Sequence, residues 1–382
     1  MKITNDVKYI GVFDDKIDLF EGQYIVPDGI SYNSYAIIDD NIAILDTVEK
    51  IFGEEWIKNI ENALGGRNPD YLIVQHMEPD HSANIFSFSE KYPDAKIVSS
   101  SKSFAMMKQF FGTDFSDRQI VVGDGSTLSL GKHELQFVTA PMVHWPEVIF
   151  TYDKTDKLLF SADAFGKFGG IENADDWVDE ARRYYIGIVG KYGVQVTAAL
   201  KKASELDITA ICPLHGPVLT GDLSKYVSLY SKWASYEPEE NGTVIAYTSV
   251  YGNTKKAVDL LEKALKDKGE SVTLYDLARC DIHKAVADAF RYNKLVLATT
   301  TYNGDIFPYM REFIHHLTER AYKNRKIGII DNGSWAPMAT KVIKGMLESS
   351  KGIEYTNTTV QIRSALDSVS AEQIISLANE LN

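Results

Sequence analysis

Residues 71–81 read YLIVQHMEPDH, and this stretch says most about the fold and about a functional site. The apolar run at 71–75 predicts a buried strand, and the polar, proline-containing run after it predicts a loop at the strand's end. Four potential metal ligands lie within six residues of that loop: His76, Glu78, Asp80 and His81. A lone H-x-E is usually a solvated turn, whereas four donors in six residues indicate a metal site at one sheet edge.

Three further donors stand at or just after the ends of other predicted strands. They are His144 in APMVHWPE, Asp163 in FSADAFG and His215 in CPLHGP. Each also has an ordinary explanation, since His144 beside Trp145 could be a packed core histidine and Asp163 could form a turn or cap a helix. Together the two sets comprise four histidines and three carboxylates. That combination suits two metal ions that share one carboxylate and keep open positions for a substrate.

Composition bounds the class of protein. The chain has 382 residues, a length typical of two domains. Its residues are 45% hydrophobic and 24% charged, which is typical of a globular protein, and its net charge is −13. No apolar run is long enough to cross a bilayer, and the N-terminus lacks the core of a signal peptide, so we expect a cytoplasmic protein without a membrane partner. Cys212 and Cys280 form no C-x-x-C pair, which excludes a disulfide framework, a zinc finger and cysteine-ligated iron. Any metal must therefore be held by nitrogen and oxygen.

The sequence SYEPEENG at residues 235–242 predicts a linker between two domains, 1–240 and 243–382. Residues 1–250 carry a net charge of −15, whereas the remainder carries +2. The first half is rich in short strands with interspersed helices, which predicts an α/β sandwich containing two mixed sheets. In the second half five β-rich runs alternate with helical patterns, which predicts a doubly wound, five-stranded parallel sheet.

Loops after the first, third and fourth strands of the second half predict a nucleotide site. The loop before the first helix has hydroxyls, an amide and a helix N-terminus, which suit a phosphate, but it lacks the glycine pattern of a P-loop or a dinucleotide fold. A mononucleotide fits better, and the doubly wound rule brings the other loops to the same edge. The alternative is three ordinary turns with incidental aromatics. The candidate binding residues are Ser249, Val250, Tyr251, Gly252, Asn253, Thr254, Thr301, Tyr302, Asn303, Gly304, Asp305, Gly333, Ser334, Trp335 and Ala336.

The first half resembles the metallo-β-lactamase fold, whose usual loop is H-x-H-x-D-H. Here Glu78 stands where the second histidine would be. A carboxylate in place of an imidazole makes the site harder and more anionic, which shifts the preference from zinc towards iron. The pattern H-x-E-x-D-H, followed by a distant His, Asp and His, is similar to that of the flavodiiron proteins, or A-type flavoproteins. The second half resembles flavodoxin, and the resemblance covers nearly the whole of residues 1–382.

The resemblance implies a set of iron ligands and an FMN site. His76, Glu78 and His144 would hold one iron, Asp80, His81 and His215 the other, and Asp163 would bridge them. In some members the residue matching His81 is not bound to the metal. Thr300 departs from the family pattern, since many members have proline there. His133 is expected to be an exposed residue on a hairpin, and His283, His315 and His316 are expected to lie in helices without a role.

The resemblance also implies a reaction and its partners. A flavodiiron protein reduces O₂ to water or NO to N₂O, taking electrons from FMN and an external donor. The sequence ends without the four cysteines of a fused rubredoxin, so we expect a separate carrier, most simply rubredoxin, or in some relatives a reduced deazaflavin. A head-to-tail homodimer, or a dimer of such dimers, would place the FMN of one chain beside the irons of another. No nucleic acid is expected as a partner.

Two other functions remain open from sequence alone. A zinc hydrolase of the metallo-β-lactamase type would use a metal-bound hydroxide and would be colourless. An electron carrier would use only the flavodoxin half, with a degenerate metal domain as a scaffold. The preference between O₂ and NO depends on residues around the metals that the sequence does not identify.

Overall fold

A computed structural model of the chain describes residues 2–172 and 177–382 and divides into two compact units. The units are Met1–Ser231 and Lys232–Asn382. The strands of the first unit are β1 Val7–Tyr9, β2 Val12–Asp14, β3 Leu19–Phe20, β4 Tyr24–Ile25, β5 Ile30–Tyr32, β6 Tyr35–Ile38, β7 Ile42–Leu45, β8 Tyr71–Ile73, β9 Lys96–Ser99, β10 Gln119–Val121, β11 Thr127–Ser129, β12 Glu134–Thr139, β13 Ile149–Asp153, β14 Leu158–Phe160 and β15 Ala210–Cys212. Its helices are α1 Gly53–Leu64, α2 Pro79–Ser82, α3 Ile85–Lys91, α4 Ser101–Phe111, α5 Trp177–Tyr184, α6 Gly193–Ala203 and α7 Ser224–Ser235, the last of which crosses the division.

Two mixed sheets form the centre of the first unit, as the sequence predicts. One has the order β1-β6-β7-β8-β9-β10, with antiparallel pairing at β1, β6 and β7 and parallel pairing from β7 to β10. The other has the order β11-β12-β13-β14-β15, antiparallel except between β14 and β15. Two further antiparallel pairs, β2 with β5 and β3 with β4, lie outside these sheets.

The two sheets pack face to face because their strands alternate buried side chains between two cores. Along β6, Tyr35 and Ile37 enter a core shared with Phe137 and Phe160 of the other sheet, whereas Ala36 enters the core beneath the helices. This period of two is the geometry of a strand whose faces are both covered. Strands β7, β13, β14 and β15 are therefore buried along their whole length, and the candidate metal ligands lie beyond the strand ends.

The second unit is a doubly wound sheet, also as predicted. Its strands are β16 Glu240–Tyr247, β17 Val272–Asp276, β18 Tyr292–Tyr302, β19 Asp305–Ile306, β20 Arg325–Asn332 and β21 Ile353–Ile362, and its helices are α8 Asn253–Lys266, α9 Ile282–Arg291, α10 Pro308–Glu319, α11 Ala339–Met346 and α12 Ser368–Leu381. The order β17-β16-β18-β20-β21 is parallel throughout, and short β19 pairs antiparallel with the end of β18. The chain reverses direction across the sheet between β16 and β18, and ligands bind at such a switch point.

The predicted linker at residues 235–242 is only partly correct. Helix α7 continues to Ser235, and β16 already begins at Glu240. The Asn-Gly pair that suggested a turn lies inside β16 at an irregularity in its pairing with β18, where Asn293 Oδ1 accepts a hydrogen bond from the Gly242 amide at 3.0 Å. A Cβ on Gly242 would lie 2.6 Å from the ring of Tyr292, so close packing requires glycine at this position.

Across the described residues, no helix combines the length and the apolar character that a membrane span requires.

Candidate functional site

The first group of candidate ligands contains His76, Glu78, His144 and Asp163, whose ligand atoms all lie within 4.8 Å of one another. His76 Nε2 is 3.2 Å and His144 Nε2 is 3.0 Å from the same oxygen, Oε2 of Glu78. The same two nitrogens lie 3.4 Å and 3.1 Å from Oδ2 of Asp163. The four side chains thus aim their donor atoms at one small volume.

The second group contains Asp80, His81 and His215. The Nε2 atoms of the two histidines are 3.0 Å apart, and they lie 3.3 Å and 3.4 Å from Oδ2 of Asp80. Oδ1 of Asp163 is 3.3 Å from His81 Nε2 and 3.8 Å from His215 Nε2. One oxygen of Asp163 therefore faces each group, and this carboxylate joins the two.

The fold brings these residues together because each follows a strand. His76 comes three residues after β8, Asp163 three after β14 and His215 three after β15. Asp80 and His81 lie on α2, where Pro79 occupies the first turn and needs no amide partner. A loop after β12 carries His144. All seven side chains were predicted to converge, and the structure places them all in one cluster.

Burial and charge in this cluster suit cations. Burial raises the pKa of Asp80 to about 7, and the charges of Glu78 and Asp163 add to the effect. Although burial opposes it, hydrogen bonds with Asp163 and Glu78 raise the pKa of His144 to about 9. Both oxygens of Asp80 are buried without a hydrogen-bond partner among the described residues. Buried carboxylates without donors are stabilised by a metal ion, so the residues fit two of them.

A cavity of about 660 Å³ opens onto the cluster. Its wall includes the metal-facing residues Glu78 and Asp80 and the aromatic side chains of Phe20, Tyr32 and Phe52. A small molecule can therefore reach the candidate metal positions from one side, past an aromatic wall.

Tyr184 is a candidate site residue that the sequence did not single out. Its side chain is fully buried, with its ring centre 5.5 Å from that of His215, and its hydroxyl has no hydrogen-bond partner in the described part of the chain. Gly166 belongs to the loop that carries Asp163, and it is in close contact with Tyr184. A Cβ atom on Gly166 would lie 3.4 Å from the Tyr184 ring and 3.0 Å from the Asp163 carbonyl oxygen, so this tyrosine packs directly against the ligand loop. Helix α5, which carries it, is distant in sequence from every ligand motif, and no local pattern separates it from the other tyrosines.

The second unit has its own cavity, of about 530 Å³, at the carboxyl edge of its sheet. Gly252 in left-handed conformation (φ +85°) turns the first loop into α8, and Ser249 Oγ accepts a hydrogen bond from the Lys255 amide at 3.2 Å. Asn332 donates to Thr254 Oγ1 at 3.2 Å and fixes the next loop against the helix start. Hydroxyls, amides and a helix N-terminus around a cavity of this size fit a mononucleotide.

Comparisons with known proteins agree with both units. Residues 30–216 match the family model of ODP family beta lactamases, and residues 244–356 match a flavodoxin domain. A nitric oxide reductase of Moorella thermoacetica is 30% identical over 361 residues, which cover 91% of this chain and 90% of that protein. The solved rubredoxin oxygen:oxidoreductase of Desulfovibrio gigas superposes with a TM-score of 0.93 at 26% identity, over 100% of this chain and 97% of that one. The flavodiiron protein of Giardia intestinalis gives a TM-score of 0.93 at 25% identity, over 100% and 95%.

The chain belongs to the flavodiiron protein family. Family membership makes it an oxidoreductase of two joined parts, a β-lactamase-like unit and a flavodoxin-like unit. An anaerobic nitric oxide reductase flavorubredoxin of Aliivibrio salmonicida is also similar, at 27% identity over 87% of this chain and 69% of that protein.

Thirteen of the fifteen predicted nucleotide-binding residues of this flavodiiron chain line the second cavity. Gly252 and Asp305 do not: the first acts through its backbone, and the carboxylate of the second pairs with Arg311. Three lining residues were absent from the prediction, namely Thr300, Asn332 and Ser364. Ser364 follows the fifth strand, so the rule that ligands bind at the carboxyl edge could have found it.

The expectation for His133 was wrong. It lies on a hairpin, between β11 and β12, but it is fully buried. Its Nδ1 is 2.8 Å from Oδ2 of Asp153, and its Nε2 is 3.4 Å from Oδ2 of Asp6. Carboxylates on both sides allow an imidazole to be buried there, and a single sequence gives no sign of such partners. His283 lies in α9, and His315 and His316 lie in α10, as expected.

Proposed function

We propose that this chain reduces O₂ to water, NO to N₂O, or both, with a diiron centre in the first unit and FMN in the second. The observation that carries the proposal is the carboxylate of Asp163, whose two oxygens face two separate ligand groups. O₂ takes up four electrons and four protons to give two waters, and two NO take up two of each to give N₂O and water. When bound, a pair of ferrous ions would supply two electrons and a reduced FMN two more, and these four electrons meet the larger demand.

The distances support the assignment of seven ligands. In this proposal His76, Glu78 and His144 hold one iron, Asp80, His81 and His215 hold the other, and Asp163 bridges both. His81 belongs to the set because its Nε2 points at His215, Asp80 and Asp163 in the same way as the other donors do. A set of four imidazoles and three carboxylates offers harder ligands than the first site of a zinc hydrolase, where all the ligands are imidazoles. Harder ligands favour iron over zinc.

The chain's own residues have three tasks in this reaction. Phe20, Tyr32 and Phe52 line the cavity through which a small diatomic molecule can reach the ligands. Asp163 keeps the two metal positions at a fixed separation. The Tyr184 hydroxyl, buried and without a partner among the described residues, can donate a hydrogen bond or a proton to an oxygen of the substrate.

FMN would be held by the loops of the second cavity. Ser249 in the loop before α8, with Asn253 and Thr254 at the start of that helix, suits its phosphate. Tyr302 and Trp335 suit its ring, since both are aromatic and both line the cavity. The remaining candidate contacts are Val250, Tyr251, Thr301, Asn303, Gly304, Gly333, Ser334 and Ala336, to which the structure adds Thr300, Asn332 and Ser364.

We further propose a head-to-tail homodimer, or a dimer of such dimers, in the cytoplasm, with a separate electron donor such as rubredoxin. Family resemblance supports the dimer, and the contrast between −15 in residues 1–250 and +2 in the remainder supports docking of an acidic carrier on the second unit. If that docking is electrostatic, the rate of reduction by rubredoxin falls as salt is raised. A rate independent of salt would exclude it.

Mixed dimers test the head-to-tail arrangement. Asp163→Asn removes the bridging carboxylate, and Ser249→Glu places an anion where the FMN phosphate would bind. Each variant alone should be inactive, whereas co-expressed chains should form mixed dimers that regain turnover, because the intact FMN of one chain then serves the intact irons of the other. A mixed dimer that forms but stays inactive would contradict the arrangement.

Metal and flavin analysis tests the function itself. Protein purified without oxygen should contain about two irons and one FMN per chain, and Asp163→Asn should lose iron while it keeps FMN. Zinc in place of iron, with hydrolysis of an ester or thioester, would instead identify a hydrolase. The chain would instead be an electron carrier if the native protein reduced neither gas and Asp163→Asn kept full electron transfer from the donor.

A further inference from the structure

The histidines of the proposed diiron centre differ in what their outward-facing ring nitrogens contact. Nδ1 of His76 lies 2.8 Å from Oε1 of Glu147, and both side chains are at most 1% exposed. Nε2 of His76 is the atom that faces Glu78 and Asp163. The carboxylate of Glu147 therefore accepts the Nδ1 proton and leaves the Nε2 lone pair directed at the metal position.

Glu147 is itself held in place from two sides. Its Oε1 also accepts a hydrogen bond from the Met77 amide at 2.8 Å, which ties it to the loop that carries the ligands. Its carbonyl oxygen accepts a hydrogen bond from the Ser100 hydroxyl at 3.0 Å, at the start of α4. Glu147 thus has little freedom to move away from His76, and its contact with the imidazole is built into the loop.

Among the described residues, no carboxylate forms a hydrogen bond with an Nδ1 atom of the second ligand group. Nδ1 of His215 donates to the carbonyl oxygen of Ser31 at 2.7 Å, which is a neutral partner. Nδ1 of His81 is buried and finds no hydrogen-bond partner in the chain as described. An anionic partner makes an imidazole a stronger donor to a metal than a neutral partner does.

We propose that Glu147 is a positioning residue that makes the two metal positions unequal. The position held by His76, Glu78 and His144 binds its iron more tightly than the position held by Asp80, His81 and His215. This inference rests on the diiron centre of the proposed function. It assigns the difference in iron affinity between the two metal positions to the carboxylate of Glu147.

Iron withdrawal from the loaded protein tests the inference. Holoprotein with two irons per chain is equilibrated anaerobically with increasing concentrations of a chromogenic Fe²⁺ chelator, and the iron removed is read from the absorbance of the chelator complex. The native protein should release iron in two resolved steps. Glu147→Gln keeps the size of the side chain but removes its charge, so the tighter step should weaken by about 10- to 100-fold while the weaker step changes little.

Asp153→Asn is the matched control. Asp153 forms the same kind of buried contact, 2.8 Å to Nδ1 of His133, but lies outside the ligand set. Asp153→Asn should keep both steps of iron release. If only Glu147→Gln loses the tighter step, general destabilisation of the fold does not explain the loss. Mössbauer spectra of ⁵⁷Fe-loaded protein give an independent reading, since the doublet of one iron should change in Glu147→Gln and the other should stay.

The outcomes separate this inference from the proposed function. Two irons per chain with identical release in native protein and Glu147→Gln would overturn the role of Glu147 and leave the diiron centre intact. Equal weakening of both steps would overturn it as well. If Glu147→Gln cannot be loaded, Glu147→Asp takes its place, because it shortens the side chain at constant charge, and the tighter step should then weaken selectively. Protein without iron would contradict the proposed function.

Discussion

At the scale of single residues, Tyr184 is the clearest case of a buried polar group without a structural task. Its hydroxyl is buried beside the ligands and has no partner among the residues described, which costs stability and therefore points to a functional role. We predict that Tyr184→Phe lowers turnover by about 100-fold, because a proton donor is lost, while iron and FMN contents stay the same. Unfolding temperature should stay the same or rise. Unchanged turnover would show that the proton comes from elsewhere.

Thr300 makes a similar case in the second cavity. Its hydroxyl is buried, and the described residues offer it no hydrogen-bond partner, although it lines the space proposed for FMN. We predict that Thr300→Val weakens FMN binding by about 2- to 10-fold, the equivalent of one hydrogen bond, as measured by fluorescence of released FMN on dilution. Thr299→Val is the control, since Thr299 bonds to Thr248 instead. Equal effects of the two variants would contradict a contact between Thr300 and FMN.

His133 should make stability depend on pH. The hydrogen bond with Asp153 raises the pKa of His133 above its usual value, although burial opposes it. Its stabilisation is therefore complete below the unfolded pKa of about 6.5 and is lost as the pH rises through the higher folded pKa. We predict that His133→Gln reduces the difference in unfolding temperature between about pH 6 and pH 9. The same substitution at the exposed His315 is the control and should leave this difference unchanged. A His133→Gln variant that keeps the native difference in unfolding temperature would refute the assignment.

At the scale of elements, Arg325 at the start of β20 connects several segments of the second unit. Its side chain is 2% exposed and donates to the carbonyl oxygens of Tyr292 at 2.8 Å and Tyr236 at 2.8 Å, and to that of Phe290. One guanidinium thus joins the end of α9, the start of β18 and the segment before β16. A lysine cannot reach these carbonyls together because it has no planar fork.

We predict that Arg325→Lys destabilises the second unit by about 3 kcal/mol, because buried carbonyls lose charged donors. Urea unfolding followed by FMN release measures this. Arg279→Lys is the matched control, because that side chain is 83% exposed and should tolerate the change. Equal stability of the two variants would contradict the role given to Arg325.

The elements also explain how far the sequence could be interpreted. The sequence marks both ends of helix α4, since Ser100 caps its start and left-handed Gly112 ends it. The ligand motifs follow strands whose apolar runs are equally clear in the sequence. Short strands such as β2 to β5 and β11 escaped prediction because two or three residues carry no periodicity. Tyr184, Glu147 and the partners of His133 escaped because their roles depend on contacts between residues far apart in sequence.

At the scale of the whole molecule, the two units supply different parts of one reaction. The first brings together seven ligands, all buried except the partly exposed Glu78, beside a cavity that aromatic side chains help to line. The second offers a cavity that suits a mononucleotide. Neither unit alone holds four electrons. A four-electron reduction therefore requires both cofactors to be present and to work in the same turnover.

Counting electrons in a single oxidation by O₂ tests this most directly. Iron- and FMN-loaded protein is fully reduced without oxygen and titrated with O₂, and the O₂ consumed and the peroxide released are measured per chain. We predict that each chain consumes about one O₂, oxidises both irons and the FMN, and releases little peroxide. Release of one peroxide for each O₂ consumed, or iron that stays reduced while only FMN is oxidised, would contradict it.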